Sequence, residues 1–321
     1  MVDPAGPGGQ FMLNAVAVAD AGLVWAVGQT TAEPLVERWD GTTWKAEPVP
    51  ATPAELQAPV LRGVSAVGPG AAIAVGGAFD RLDLVERPLA YAWDGLVWND
   101  LGLAASGTGR VLAGVVMTSP TEAWAVGSVN VSGGRAGRPL ILHWTGGEWH
   151  DLVLDGEGRL AAVTAGADGD LWAVGVSGSG SGRRPLVLRH GDGRWREVPC
   201  RHRAERGLTC VAVGGDGAVW AGGGDVLLRW EGKGWRPYDH GLASVNALAA
   251  TPAGGVLAAG GKGGLSALRD AAFLPLATPD DRASWLGAAA GATTVWVVGS
   301  RRRGGGGEAV SADRPGHLIA E

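Results

Sequence analysis

Apolar residues in this chain fall into short runs closed by Gly, Asp or Pro, and the runs recur in a fixed order. VWAVG at 24–28 returns as AIAVG at 72–76, AWAVG at 123–127, LWAVG at 171–175 and VWAGG at 219–223, with degenerate copies VLAAG at 256–260 and VWVVG at 295–299. The equivalent residues Trp25, Ile73, Trp124, Trp172, Trp220, Leu257 and Trp296 lie 48, 51, 48, 48, 37 and 39 residues apart by subtraction. An apolar run precedes each copy, as in LNAVAVA (13–19), LRGVSAV (61–67) and LAGVVM (112–117). A third run follows, ending in an aromatic and a turn: VERWDGTTW, AYAWDGLVW, ILHWTGGEW, VLRHGDGRW and LLRWEGKGW. Runs this short, punctuated by turn residues, predict strands, and no helical period is visible. The glycines before the last tryptophan predict tight hairpins, since glycine tolerates positive φ.

Each unit therefore reads as four antiparallel strands, and four short strands per roughly 40–50 residues is the pattern of a propeller blade. The expected fold is all-β: a seven-bladed β-propeller of four-stranded antiparallel blades around a central channel. Nearly continuous apolar runs such as LAGVVM predict inner strands covered on both faces. The expected boundaries are a flexible tail over 1–10 and a single propeller domain over 11–321. Its blades cover about 11–50, 59–103, 110–154, 159–200, 207–240, 244–279 and 284–321. Ring closure has two readings. The tail EAVSADRPGHLIAE supplies the last strands, or an N-terminal strand around Phe11 joins the final blade.

The WAVG strand and the WDG–x–x–W hairpin resemble those of bacterial propellers built on the same repeat, within the broad superfamily of Kelch-like, Asp-box and photosystem-assembly-type (YCF48-like) propellers. The resemblance covers almost the whole chain from Phe11 onward and implies the fold, not an activity. Two signatures of neighbouring families are missing: no Gly-His precedes each blade as in WD40 repeats, and no S-x-D-x-G-x-x-W pattern occurs.

Composition narrows the function classes. A net charge of −5 gives no basic face for nucleic acid. No apolar run approaches the ~20 residues needed to span a bilayer. The start MVDPAGPGGQ carries no secretory signal, so the expected location is cytoplasmic, as a monomer. Two cysteines, Cys200 and Cys210, do not make a disulfide framework. With His202 and His240 they have zinc-binding types but no ligand spacing, so no metal and no cofactor is expected. The four-glycine run 304–307 has no strand–loop–helix context for a phosphate cradle.

Function must come from residues that break the repeat. Fourteen of the 15 tryptophans occupy repeat positions and read as inter-blade packing; Trp285 alone replaces the leucine that opens inner strands. Connections between first and second strands are short. Those between second and third strands (76–88, 127–139, 175–185, 299–309) and between blades (49–59, 199–206, 237–244, 277–283) are long and variable. Both long sets lie on one face, where binding residues collect on a rigid scaffold. The expected function is a recognition module that binds a small molecule, peptide or protein there, over the channel. Trp285, Phe79, Asn14, Asn246, Arg206 and Asp281 are its expected contacts. The second reading is a metal-independent lyase, cyclase or hydrolase using His240, Asp239, Tyr238, His202 and Arg62 as acid–base or electrostatic groups at the channel mouth. Arg87, Arg138 and Arg184 each precede Pro-Leu, and read either as rim binding groups or as repeat elements paired with carboxylates.

Overall fold

The computed structural model describes residues 11–106, 109–131, 135–202, 204, 207–251, 253–278, 280–292, 294–302, 310–311 and 316–319. The expected tail 1–10, Arg206 and residues 303–309 of the last rim loop lie outside these residues. The chain forms antiparallel sheets around a channel, with strands in strict sequence order in all but the last. The first contains β1 (Phe11–Asp20), β2 (Leu23–Thr30), β3 (Pro34–Trp39) and β4 (Trp44–Ala46). The second contains β5 (Leu56–Ala66), β6 (Ala72–Asp80), β7 (Glu86–Trp93) and β8 (Trp98–Asp100). The third contains β9 (Arg110–Ser119), β10 (Glu122–Val131), β11 (Arg135–Thr145) and β12 (Glu148–Val153). The fourth contains β13 (Gly158–Ala165), β14 (Leu171–Ser177), β15 (Arg184–Gly191) and β16 (Arg194–Glu197). The fifth contains β17 (Cys210–Val213), β18 (Val219–Gly223), β19 (Val226–Trp230) and β20 (Trp235–Pro237). The sixth contains β21 (Ala247–Ala250), β22 (Val256–Ala259), β23 (Leu265–Arg269) and β24 (Ala272–Pro275).

The last sheet corrects the expectation of seven four-stranded blades. Six sheets are complete four-stranded blades; the remaining one is not. It contains β25 (Ala283–Ala290), β26 (Thr294–Arg302), β27 (Val310–Ser311) and β28 (Gly316–Ile319). Here β27 pairs with Arg301–Arg302 while β28 pairs with Thr294–Val297, so both lie along β26 instead of forming third and fourth ranks. The sequence of this unit differs from the others: the charged and glycine-rich stretch RRRGGGGE follows the second apolar run where the other units continue into a short apolar third run and its hairpin. The N-terminal strand stays in the first sheet, with Phe11 opposite Thr30 on β2, and the C-terminal segments cover β26. Among the described residues, no helix is long and apolar enough to cross a membrane.

The WDG turns form as their residue types require. Asp40 Oδ1 accepts the backbone N–H of Thr42 and Thr43 at 3.0 and 2.9 Å, and Gly41 takes φ +95°. Asp94 repeats this with Leu96 and Val97, and Gly95 takes φ +98°. These N–H groups hold the Asp94 carboxyl below its ordinary pKa, because they stabilise its charged form. Aromatics flanking the turns pack between sheets, and a cluster of buried side chains fills each interface between neighbours. The deepest burial belongs to second strands, not to inner ones as the apolar runs suggested. Leu171–Val176 of β14 is buried throughout, whereas β1 and β9 alternate with half-buried positions because one face lines the channel.

Candidate functional site

The inner strands carry a bulge that decides what faces the channel. Register slips by one residue between Leu13 and Ala15, Leu61 and Gly63, Leu160 and Ala162, and Trp285 and Gly287. In β9 the slip falls between Leu112 and Gly114. Asn14, Arg62, Ala113, Ala161 and Leu286 are thus left unpaired, and a bulge re-aims such a residue. With Thr209 and Asn246 they line a channel cavity of about 190 Å³.

The polar members of this ring bridge neighbouring sheets. Asn14 Nδ2 donates to Leu61 O at 2.8 Å, and Asn246 Nδ2 donates to Trp285 O at 3.0 Å. Arg62 Nη1 reaches Leu112 O at 3.4 Å, the equivalent carbonyl one sheet on, and also pairs with the buried Glu86 carboxylate. That carboxylate sits over Gly77, where a Cβ would stand 2.2 Å from Glu86 Oε1. Asn14, Asn246 and Arg62 thus all line the channel, and all three are already hydrogen-bonded to a neighbouring sheet.

Trp285 is corrected. It is fully buried between the sixth and seventh sheets, against Leu257, Leu265 and Val297. Its slot is that of the buried Leu13, Leu61, Leu112, Leu160 and Leu208, and the channel-facing residue is the next one, Leu286. The sequence placed Trp285 correctly in the leucine slot, but the bulge that follows buries that slot and aims the next residue at the channel, which strand periodicity does not reveal.

The expected acid–base group does not converge. His240 is 6 % exposed, with Nε2 3.2 Å from Asp225 O and Nδ1 accepting Leu242 N–H at 3.1 Å. His202 Nε2 lies 2.9 Å from Trp235 O. The Tyr238 ring packs on Trp220 and Phe273 at 4.9 and 6.3 Å, and Asp239 Oδ1 accepts Gly241 N–H at 3.2 Å. Asp281 is exposed on the connection before β25. Cys210 donates to Gly222 O at 3.3 Å, and burial pushes its thiol up to about 12, which keeps it protonated and unreactive. Among the described residues, no three His, Cys, Asp or Glu side chains are grouped to hold a metal. Arg87, Arg138 and Arg184 all pair with carboxylates: Asp80 at 2.8 Å, Asp155 at 2.9 Å and Glu197 at 2.6 Å.

Two clefts lie on the loop-rich rim between the first and second sheets. A cleft of about 780 Å³ is walled by Pro34, Pro48, Pro50, Pro53 and Pro59, with Glu33, Glu47 and Arg81 among its polar groups. A second cleft of about 310 Å³ shares Pro53 and Leu56 with it and adds Glu55, Asp80, Arg87 and Asp100. Beside them, β6 and β7 extend further than expected and leave only residues 81–85 as a loop. Asp80, 6 % exposed, organises that loop: Oδ1 accepts Leu82 N–H at 2.8 Å, and Oδ2 accepts Arg87 Nη2 at 2.8 Å and Nε at 3.2 Å. The Leu82 N–H and then Arg87 hold its carboxyl below the usual range. Backbone bonds Asp80 N–Val85 O, Leu84 N–Asp80 O and Arg81 N–Glu55 O complete the frame. The end of β6 presents Phe79, and the loop presents Leu82 and Leu84, to solvent at 40, 91 and 68 % exposure. The sequence signalled Phe79; it missed Leu82 and Leu84, whose alternation with charged residues in DRLDLVER was the available sign.

No family model matches the chain, and no curated protein matches it in sequence. Solved structures match its shape. One described as YCF48 bound to D1 peptide superposes with a TM-score of 0.63 at 16% identity, covering 92% of this chain and 91% of that one. The WD40 β-propeller domain of Doa1 gives 0.64 at 11% identity over 94% and 93% of the two chains. The structure of U3-55K gives 0.63 at 11% identity over 97% and 96%. At such identities the likeness is one of fold: a WD40-like β-propeller, reached without the WD40 Gly-His signature. It singles out neither the Kelch-like nor the Asp-box branch.

Proposed function

We propose that this protein is a recognition module that binds a peptide or protein segment on its loop-rich face, with the 79–85 loop and the clefts beside it as the contact surface. One observation carries the reading: three large apolar side chains are held in solvent by a hydrogen-bonded loop built on a buried carboxylate. Apolar groups displayed together on a rigid frame are what a partner buries, and a preorganised surface loses less entropy on binding. Fold analogy points the same way, since YCF48 is described in complex with a D1 peptide. The contact surface moves outward from the channel mouth expected at first. There, Asn14, Arg62 and Asn246 already bridge sheets, while the rim between the first and second sheets has apolar side chains to offer.

Selection from a displayed random-peptide library tests this with the wild-type protein and the Leu82→Ser/Leu84→Ser variant. Wild type is expected to enrich a consensus that the variant retains about 1–2 kcal/mol more weakly per lost anchor. The melting temperature should hardly move, because both side chains are exposed. Equal selection by the two proteins would sink the placement, and no enrichment by wild type would sink the recognition reading itself.

A further inference from the structure

Resting on that reading, we propose that the clefts between the first and second sheets select an extended segment in which Lys or Arg flanks an apolar side chain. The larger cleft is rich in acceptors. Its five prolines have no N–H to offer. Several other backbone donors around it are already used: Leu56 N on Pro53 O, Glu47 N on Val36 O, Thr30 N on Glu33 O, and Ala32 N and Glu33 N on Thr30 Oγ1. A ligand that brings its own donors meets the Glu33 and Glu47 carboxylates and the proline carbonyls there.

Charge gives the same sign. Glu33, Glu47, Glu55, Asp80 and Asp100 line the two clefts against Arg81 and Arg87. Arg87 is neutralised by Asp80 at 2.8 Å and Asp83 at 3.6 Å, and Glu47 shares Arg38 at 3.4 Å. Glu33 and Glu55 have no ion pair among the described residues, and both are exposed. Lys and Arg supply several donors on an aliphatic stem. The stem fits against proline walls while the head reaches Glu33 or Glu55, and the neighbouring Leu82 and Leu84 receive the apolar residue. Exposed ion pairs contribute little each, so the discrimination is modest in affinity and marked in salt dependence.

Three fluorescein-labelled hexapeptides, a central Leu-Phe pair flanked by Arg, by Gln or by Glu, are titrated into the full-length protein by fluorescence polarisation. The Arg-flanked peptide is expected to bind on the order of 3- to 10-fold more tightly than the Gln-flanked one. The Glu-flanked peptide should be weakest. Raising salt from about 50 to about 500 mM should erase most of the difference. The Glu33→Gln/Glu55→Gln variant should bring the Arg advantage below about twofold while keeping the wild-type melting temperature. Equal or better binding of the Gln- or Glu-flanked peptide, or an unchanged preference in that variant, overturns the cation preference and leaves peptide recognition standing. If none of the three binds, this proposal fails, and the library selection judges recognition separately.

Discussion

Gly175 shows how a single repeat position is fixed. A Cβ there would stand 2.0 Å from Arg159 O, and the same letter of the repeat meets a backbone carbonyl of the inner segment at Gly28, Gly76, Gly127, Gly260 and Gly299 at 1.7 to 2.0 Å. None of these glycines has positive φ, so the requirement is close approach, not backbone freedom. Gly175→Ala is expected to cost about 2–3 kcal/mol, because the opposing atom is backbone and must be displaced. Gly70→Ala, with nothing within 4 Å, should stay within about 0.5 kcal/mol. Urea unfolding of the pair checks this, and comparable losses would overturn the steric account. The letter G was legible in the repeat; the carbonyl that requires it was not, since it belongs to a strand 16 positions earlier in chain order.

At the scale of the element, the repeated tryptophans form a clasp between sheets. The second-strand Trp25 sits between Trp93 and Trp98 of the next sheet, with ring centroids 5.0 Å from each. Trp172 meets Trp230 and Trp235, and Trp124 meets His190 and Trp195. Within its own sheet, the residue opposite each such Trp on the third strand is Arg38, His143, Arg189 or Arg229. His143 stacks on Trp124 at 3.8 Å, and the Arg189 and Arg229 guanidinium groups lie 5.4 and 5.7 Å from the Trp172 and Trp220 rings. Where the second-strand residue is Ile73 or Leu257, the opposite one is Ala92 or Ala267. The repeat thus couples a ring with the group that covers it. Trp25→Ala is expected to destabilise the protein by roughly 3–5 kcal/mol, as for a large cavity. A thermal or denaturant midpoint unchanged from wild type would contradict the clasp. Packing as the role of these tryptophans was legible from their repetition, but which sheet each one enters was not.

At the scale of the whole molecule, the ring closes where its last sheet meets its first. Trp296 on β26 lies 5.4 Å from Trp39 and 5.6 Å from Trp44, and Leu13, Val16 and Val298 fill the rest of the seam. Among the described residues this sheet has a split third rank and no fourth, and Trp296 is the ring that joins it to the Trp39–Trp44 pair of the first sheet. Trp296→Ala is therefore expected to raise amide exchange in β1 and β25 ahead of the other strands, by local opening. Exchange rising evenly around the ring would refute a weak seam. The amino-acid sequence alone determined the all-β class, the strand order, the turns and the packing role of the tryptophans. Those follow from short-range periodicity and from what Asp and Gly allow the backbone to do. Tertiary structure decided that six blades are complete, that Leu286 and not Trp285 faces the channel, and that Phe79, Leu82 and Leu84 stand in solvent beside a proline-walled cleft. Each of these depends on a bulge, a shared strand edge or a neighbouring sheet, and such contacts join residues far apart in the chain.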